Sequence, residues 1–314
     1  MSNKIKHLQK ISHNSGAKKD FKNKDLRSGL KVLVEVCRRA AFVASSHKSA
    51  TRTCKNSGNA GLRDPCPPSV IDDMPRHSRA SLLHAVAALT APLLTAVAYA
   101  NGLAHGVWPA FAATLLAGLL YVSVAWAGRT AVAAFVAAGA VLLALGISAV
   151  PGYGRLPVGL ASIHVGKAIG GLAAAAMLPS AWSWNRHCTL IAVACVAGVP
   201  AIAWVVGYVH WAPAAPAVVL AFATANLFST IAEEWFFRRW VQQPLQRFGT
   251  VVAVVGSAVL FGMVHAPSGW TFMVLAGVAG LGYAGAYHAS GRSMWAAVVV
   301  HLALNVTRKA LFGG

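Results

Sequence analysis

The chain has 314 residues, 57% hydrophobic and only 11% charged, with a mean hydropathy of +0.58. Soluble domains of this length do not carry that balance, so the composition excludes a water-soluble globular protein and points to a bilayer. The formal net charge of +19 is concentrated at one end: residues 1–79 hold 17 of the 27 Lys and Arg and six of the eight Asp and Glu. Such a split argues against a nucleic-acid partner, because no basic face runs through the rest of the chain.

Residues 1–79 are rich in Lys, Ser, Asn and Gly with no sustained apolar period, a composition that predicts an unstructured basic tail. Two readings of it stand. It is either a cytoplasmic segment that touches anionic lipid, each basic residue contributing about 1 kcal/mol, or an upstream extension of a chain that starts at Met74. Met74 opens MPRHSRASLLHAV, a basic run followed by an apolar one. Five cysteines, Cys37, Cys54, Cys66, Cys188 and Cys195, lack CxxC spacing and support neither a zinc site nor a disulfide framework.

From residue 80 to 314 the chain reads as a transmembrane helical domain. Apolar stretches run at 80–100, 106–127, 130–150, 157–179, 188–209, 216–240, 249–267, 270–288 and 293–311, each near the roughly 20 residues that cross a hydrocarbon core. Trp108, Trp126, Trp182, Trp184, Trp211, Trp240, Trp270 and Trp295 fall near their ends, where amphipathic rings favour the headgroup region. The expected fold is an all-α polytopic bundle of eight or nine spans. The number depends on 157–179, which carries His164 and Lys167 and either spans or is re-entrant.

Arg129, Arg186, Arg239, Arg247 and Arg292 fall on the side of the basic tail, and Arg155, Arg308 and Lys309 on the other. The positive-inside bias therefore puts the N-terminus in the cytoplasm. The Ala-rich composition reads as bacterial and the location as the inner membrane. The first stretch ends in Ala98-Tyr99-Ala100, a signal-peptidase-like site, yet a first anchor is the expected reading. Ala276, Gly280 and Ala284 form a small-residue face for close helix packing.

The only acids after residue 79 are Glu233 and Glu234, in STIAEEWFFRRW. An ionised carboxylate at such depth costs about 2.5–3.5 kcal/mol, so the pair needs a reason. Glu234 and Arg238 are i and i+4 and share a helix face, where a charge-assisted bond forms. Glu233 points about 100° away. One carboxylate held ionised by Arg238, beside a second able to take and give a proton, suits a general base that activates water. Downstream, Phe261 and His265 lie one turn apart, as do His301 and Asn305. A lone intramembrane His, such as His84 or His164, is ordinarily a structural group. Two His, an Asn, an Arg and two Glu in the last third of the chain read as a site.

The segments EEWFFR (233–238), FGMVH (261–265) and HLALN (301–305) resemble the motifs EExxxR, FxxxH and HxxxN/B of the CAAX-protease and bacteriocin-processing family (Abi), intramembrane glutamic endopeptidases. The connecting GLGYAGAYHASGRSMWAAVVVH has the same look, and the resemblance covers residues 188–314 approximately. It implies peptide-bond hydrolysis by Glu-activated water. Glu233 would be the principal base, His265 would orient or deprotonate the water, and Glu234 with Arg238 would support the constellation. His301 and Asn305 would face the developing oxyanion, where preorganised donors act most strongly.

The resemblance favours a reaction without metal or other cofactor. Two Glu and two His still offer a zinc-like ligand set with one open position, although no HExxH is present. The implied partners are the bilayer and a peptide or membrane-anchored protein substrate. An alternative from another class is a non-catalytic immunity or assembly protein that uses the same polar cluster for structure. A proton-coupled transporter is opposed by the lack of an inverted repeat or second acidic site. The drawn spans leave one tension: the Glu pair lies toward the inner end of its helix and His265 toward the outer end of the next. It eases if the sixth helix continues toward Gln243, or if the seventh is tilted or incomplete.

Overall fold

A computed structural model describes the backbone of residues 82–313 and the side chains of 84–313. The basic segment 1–79, with its proposed start at Met74, lies outside the described residues. Contacts divide the chain into two compact units. Among the described residues, one comprises 82–262 with 274–313, and the other Met263–Met273.

The apolar runs become helices because lipid offers no partner to backbone N–H and C=O groups, and only a helix satisfies them within one segment. In order these are α1 (Leu82–Ala88), α2 (Thr90–Ala100), α3 (Trp108–Ala125) and α4 (Arg129–Gly146), then a two-stranded hairpin, β1 (Arg155–Val158) and β2 (Ala161–His164). There follow α5 (Val165–Met177), α6 (Arg186–Val205), α7 (Pro216–Trp235), α8 (Thr250–Val264), α9 (Trp270–Ala289) and α10 (Met294–Phe312). The fold is an all-α bundle of membrane type. Local chemistry sets several starts: the Asn185 side chain accepts from Cys188 N–H at 3.0 Å to cap α6, and Pro216 begins α7 where its missing N–H costs nothing.

Among the described residues, five helical runs are long and apolar enough to cross a membrane: Trp108–Ala125, Arg129–Gly146, Arg186–Val205, Pro216–Phe248 and Trp270–Ala289. Their outward faces carry exposed Leu190, Val193, Val205 and Leu220, as suits surfaces solvated by lipid rather than water. Inside, α5 and α10 pack on α7, and α3 packs on α4. One apolar core gathers around Leu116, Leu120, Met177 and Trp235, and another around Phe237, Phe261, Tyr283 and Val300. The small-residue face of α9 is used as its spacing predicts: a Cβ on Gly280 would stand 3.1 Å from Ala258 Cα in α8.

Two stretches depart from their expected form. Residues 157–179 do not make one helix: an antiparallel hairpin pairs Arg155 with His164 and Val158 with Ala161, and only the 13 residues of α5 are helical. At 1.5 Å per residue α5 is about 20 Å long, short of the roughly 30 Å hydrocarbon core. Non-helical backbone in such a bundle is tolerated where protein covers it or where it lines a cavity; β1 is largely exposed, whereas β2 and the turn meet these conditions in part. Ile163 of β2 is buried with Ala168 and Ala225, and the hairpin turn lines a cavity described below.

The other departure is at 216–240, where the helical run does not stop but continues to Phe248. Phe236–Gln242 is a π-helix, followed by one α-turn at Gln243–Leu245 and a 3₁₀ turn at Gln246–Phe248. Glu233 and Glu234 therefore fall at the middle of the run, deeper than the shorter boundary implied.

Candidate active site

The run Pro216–Phe248 carries a polar residue at every fourth position: Asn226, Thr230, Glu234, Arg238 and Gln242. In an α-helix four residues advance slightly more than one turn, so such a stripe drifts around the axis by about 40° per step. The wider π segment, which begins right after the acids, turns it back. A π segment inside an α-helix recurs at functional sites. Trp240 anchors the segment by stacking on Phe135 (4.6 Å between centroids) and donating its indole N–H to Phe135 O at 2.6 Å.

Glu234, Arg238 and Gln242 are fully buried. Arg238 Nε donates to Glu234 Oε2 at 2.9 Å, and Nη1 donates to Gln242 Oε1 and to Ser257 Oγ, the latter at 3.2 Å. Gln242 in turn donates to Ala284 O of α9 at 3.0 Å. The second Glu234 oxygen lies 2.7 Å from His301 Nδ1 of α10. A carboxylate that already accepts from a guanidinium is an acceptor here too, so Nδ1 carries a proton directed at Glu234, which leaves Nε2 as the other ring nitrogen. That Nε2 lies 3.7 Å from Glu233 Oε2.

The imidazole is held by its faces and edges. Tyr283 stacks on it at 4.1 Å between centroids and 12° between planes, and Phe261 meets it edge to face at 5.5 Å. Glu233 is the less enclosed acid, about 20% exposed, and its Oε1 accepts from the ammonium of Lys167, on the first turn of α5.

Of the residues expected from sequence, Glu233, Glu234, Arg238 and His301 converge. Asn305 lies one turn beyond His301 on α10, where it donates to Asn226 Oδ1 at 3.0 Å; Thr230 Oγ1 donates to the same oxygen at 3.2 Å. His265 does not continue the helix of Phe261. It follows the last residue of α8, and within Met263–Met273 its ring meets Phe272 edge to face at 5.5 Å.

Sequence reading missed Lys167, Asn226, Gln242, Ser257 and Tyr283. Asn226 and Gln242 carried a signal, the fourfold spacing through Glu234 and Arg238. Lys167, Ser257 and Tyr283 come from other elements, and nothing local marks them as partners of the acids.

A half-enclosed cavity of about 390 Å³ opens beside the cluster, lined by Leu160 and Ser162 of the hairpin, Phe222, Asn226 and Ser229 of α7, and Lys309 of α10. Phe222, Asn226, Ser229 and Glu233 follow one another at helical spacing, so the cavity wall runs along α7 toward Glu233. Among the described residues, no group of three or more His, Cys, Asp or Glu is arranged to hold a metal ion. Both oxygens of Glu234 and the Nδ1 of His301 are engaged within the protein.

No curated protein and no solved structure matches the chain significantly. Residues 213–307, which include all three motifs and the buried cluster, match the family model described as type II CAAX prenyl endopeptidase Rce1-like. The region that builds the site is thus similar to the CAAX-protease family that its motifs resemble.

Proposed function

We propose that the chain hydrolyses a peptide bond of a membrane-associated peptide or protein with water activated by Glu233, without a metal ion. The supporting observation is the arrangement of two carboxylates in different surroundings around one imidazole. Glu234 is fully buried and bonded to Arg238 and His301, whereas Glu233 is partly exposed and reaches the open side of the cluster. Environments that separate two neighbouring acids in this way divide their labour, one holding the site and one moving a proton.

In the proposed reaction a water between Glu233 Oε2 and His301 Nε2 gives its proton to Glu233. Its oxygen bonds to the carbonyl carbon of the substrate, and the π electron pair moves onto the carbonyl oxygen. Collapse re-forms the C=O bond, breaks the C–N bond, and returns the proton from Glu233 to the leaving amine. Glu234 fixes the imidazole and Arg238 fixes Glu234. By the resemblance of its motif, Asn305 would steady the oxyanion and His265 the water; removing one oxyanion donor costs about 3 kcal/mol. The cavity along α7 would admit the substrate segment.

The test is cleavage in vesicles. The purified chain is reconstituted with membrane proteins extracted from the host, and new termini are counted with wild type or Glu233→Gln, before and after treatment with a zinc chelator. Termini that need Glu233 and survive chelation support the reading. Loss on chelation, with recovery on added zinc, would replace the water-activating Glu with a metal.

A further inference from the structure

Two adjacent carboxylates in an apolar interior need two positive charges for a neutral site, and Arg238 supplies only one. Arg238 is engaged by Glu234 on one side and by Gln242 and Ser257 on the other. The second charge comes from an element outside the three motifs: the Lys167 ammonium donates to Glu233 Oε1, with the two side chains only 17% and 20% exposed. With His301 neutral, Glu233, Glu234, Arg238 and Lys167 sum to zero.

The placement of Lys167 is built rather than incidental. Lys167 and Gly171 are i and i+4 on one face of α5. A Cβ on Gly171 would stand 2.7 Å from Ala232 Cα, so at this point the backbones of α5 and α7 are in contact, one residue before Glu233. Ala168, next to Lys167, is buried with Ile163 and Ala225. At the preceding strand end, His164 Nε2 lies 2.8 Å from Ser148 Oγ. The hairpin, the glycine contact and the strand anchor together hold the first turn of α5 where a lysine reaches the acid.

We infer that Lys167 is the counter-ion of Glu233, a positioning residue that keeps this carboxylate ionised and directed at the cluster until it takes a proton. The assignment rests on the proposed role of Glu233 as base and adds a residue from outside the motifs. When the proton moves from water to Glu233, the negative charge appears on the substrate oxygen instead. The net charge of the site is then unchanged, the negative charge having passed from Glu233, beside the ammonium, to the substrate.

A test that needs no substrate uses N,N′-dicyclohexylcarbodiimide, which modifies carboxyl groups in apolar surroundings when they are protonated. The full chain, purified in detergent, is treated at neutral pH and the adduct on the peptide containing Glu233 is followed by mass spectrometry. Glu233→Gln identifies the modified site. Wild type is expected to react slowly, Lys167→Met about tenfold faster or more, and Lys167→Arg near the wild-type rate, with all variants eluting as the same folded species. Equal rates for Lys167→Met and wild type overturn the inference. So does Lys167→Arg reacting as fast as Lys167→Met, which would point to packing rather than charge. If vesicle cleavage depends on Glu233 while labelling ignores Lys167, only the counter-ion role fails; if labelling responds to Lys167 but no terminus depends on Glu233, the protease reading fails instead.

Discussion

At the scale of single residues, the site is a chain of dependencies that ends on one imidazole. Arg238 holds Glu234, Glu234 holds His301 Nδ1, and Tyr283 holds the ring plane. Replacing Arg238 with Met leaves Glu234 buried beside one neutral donor, and breaking a buried pair in this way costs about 3–5 kcal/mol. Chemical unfolding in detergent should therefore show a large loss of stability for Arg238→Met. Replacing Tyr283 with Leu keeps an apolar wall but removes the stack, and is expected to slow product formation about tenfold, an aromatic pair contributing roughly 0.5–1.5 kcal/mol. An equal rate in Tyr283→Leu would show that the ring needs no such support. The acids, Arg238 and His301 were legible in the sequence because charge and imidazole are rare in apolar stretches. Tyr283 was not, since an aromatic in an apolar helix is ordinarily core, and its partner lies on another helix.

At the scale of elements, the informative parts are those that broke the simple helical pattern. Alternating apolar stretches were read correctly where length and hydropathy suffice, as at Trp108–Ala125 and Trp270–Ala289. The hairpin of 155–164 was hidden because a short apolar strand and a helix segment look alike in hydropathy. The π segment was hidden because its cause is tertiary: Trp240 on Phe135 and Gln242 on Ala284 O reward the wider turn. Gly171 makes the α5 to α7 contact testable. Gly171→Val pushes on the Ala232 backbone and should cost about 1–3 kcal/mol and lower cleavage by displacing Lys167. Gly118→Ala, with open space around the site of the new Cβ, should leave both unfolding and cleavage near wild type.

At the scale of the whole molecule, the account requires that some exposed residues face lipid and others face water. Leu160, 85% exposed at the hairpin turn, borders the polar cavity, whereas Leu220, 70% exposed on α7, lies on a membrane-crossing run. In a background with Cys37, Cys54 and Cys66 replaced, a water-soluble maleimide added to opened membranes should label Leu160→Cys and spare Leu220→Cys, because thiol addition needs an ionised thiol and water. Equal labelling of both would show that exposure on α7 is not exposure to lipid. The composition made the bilayer legible from the outset. The depth of the Glu pair was not, because it depends on a helix that continues past an apparent end.

The most direct measurement is quantitative mass spectrometry of protein termini in membranes and medium of the host, comparing wild type with Glu233→Gln at equal expression. The account predicts that one or a few cleaved termini disappear in Glu233→Gln and return with wild type, which also names the substrate. Unchanged termini, in cells where deleting the whole protein still has a phenotype, would contradict it and leave the buried cluster as the framework of a binding or immunity protein.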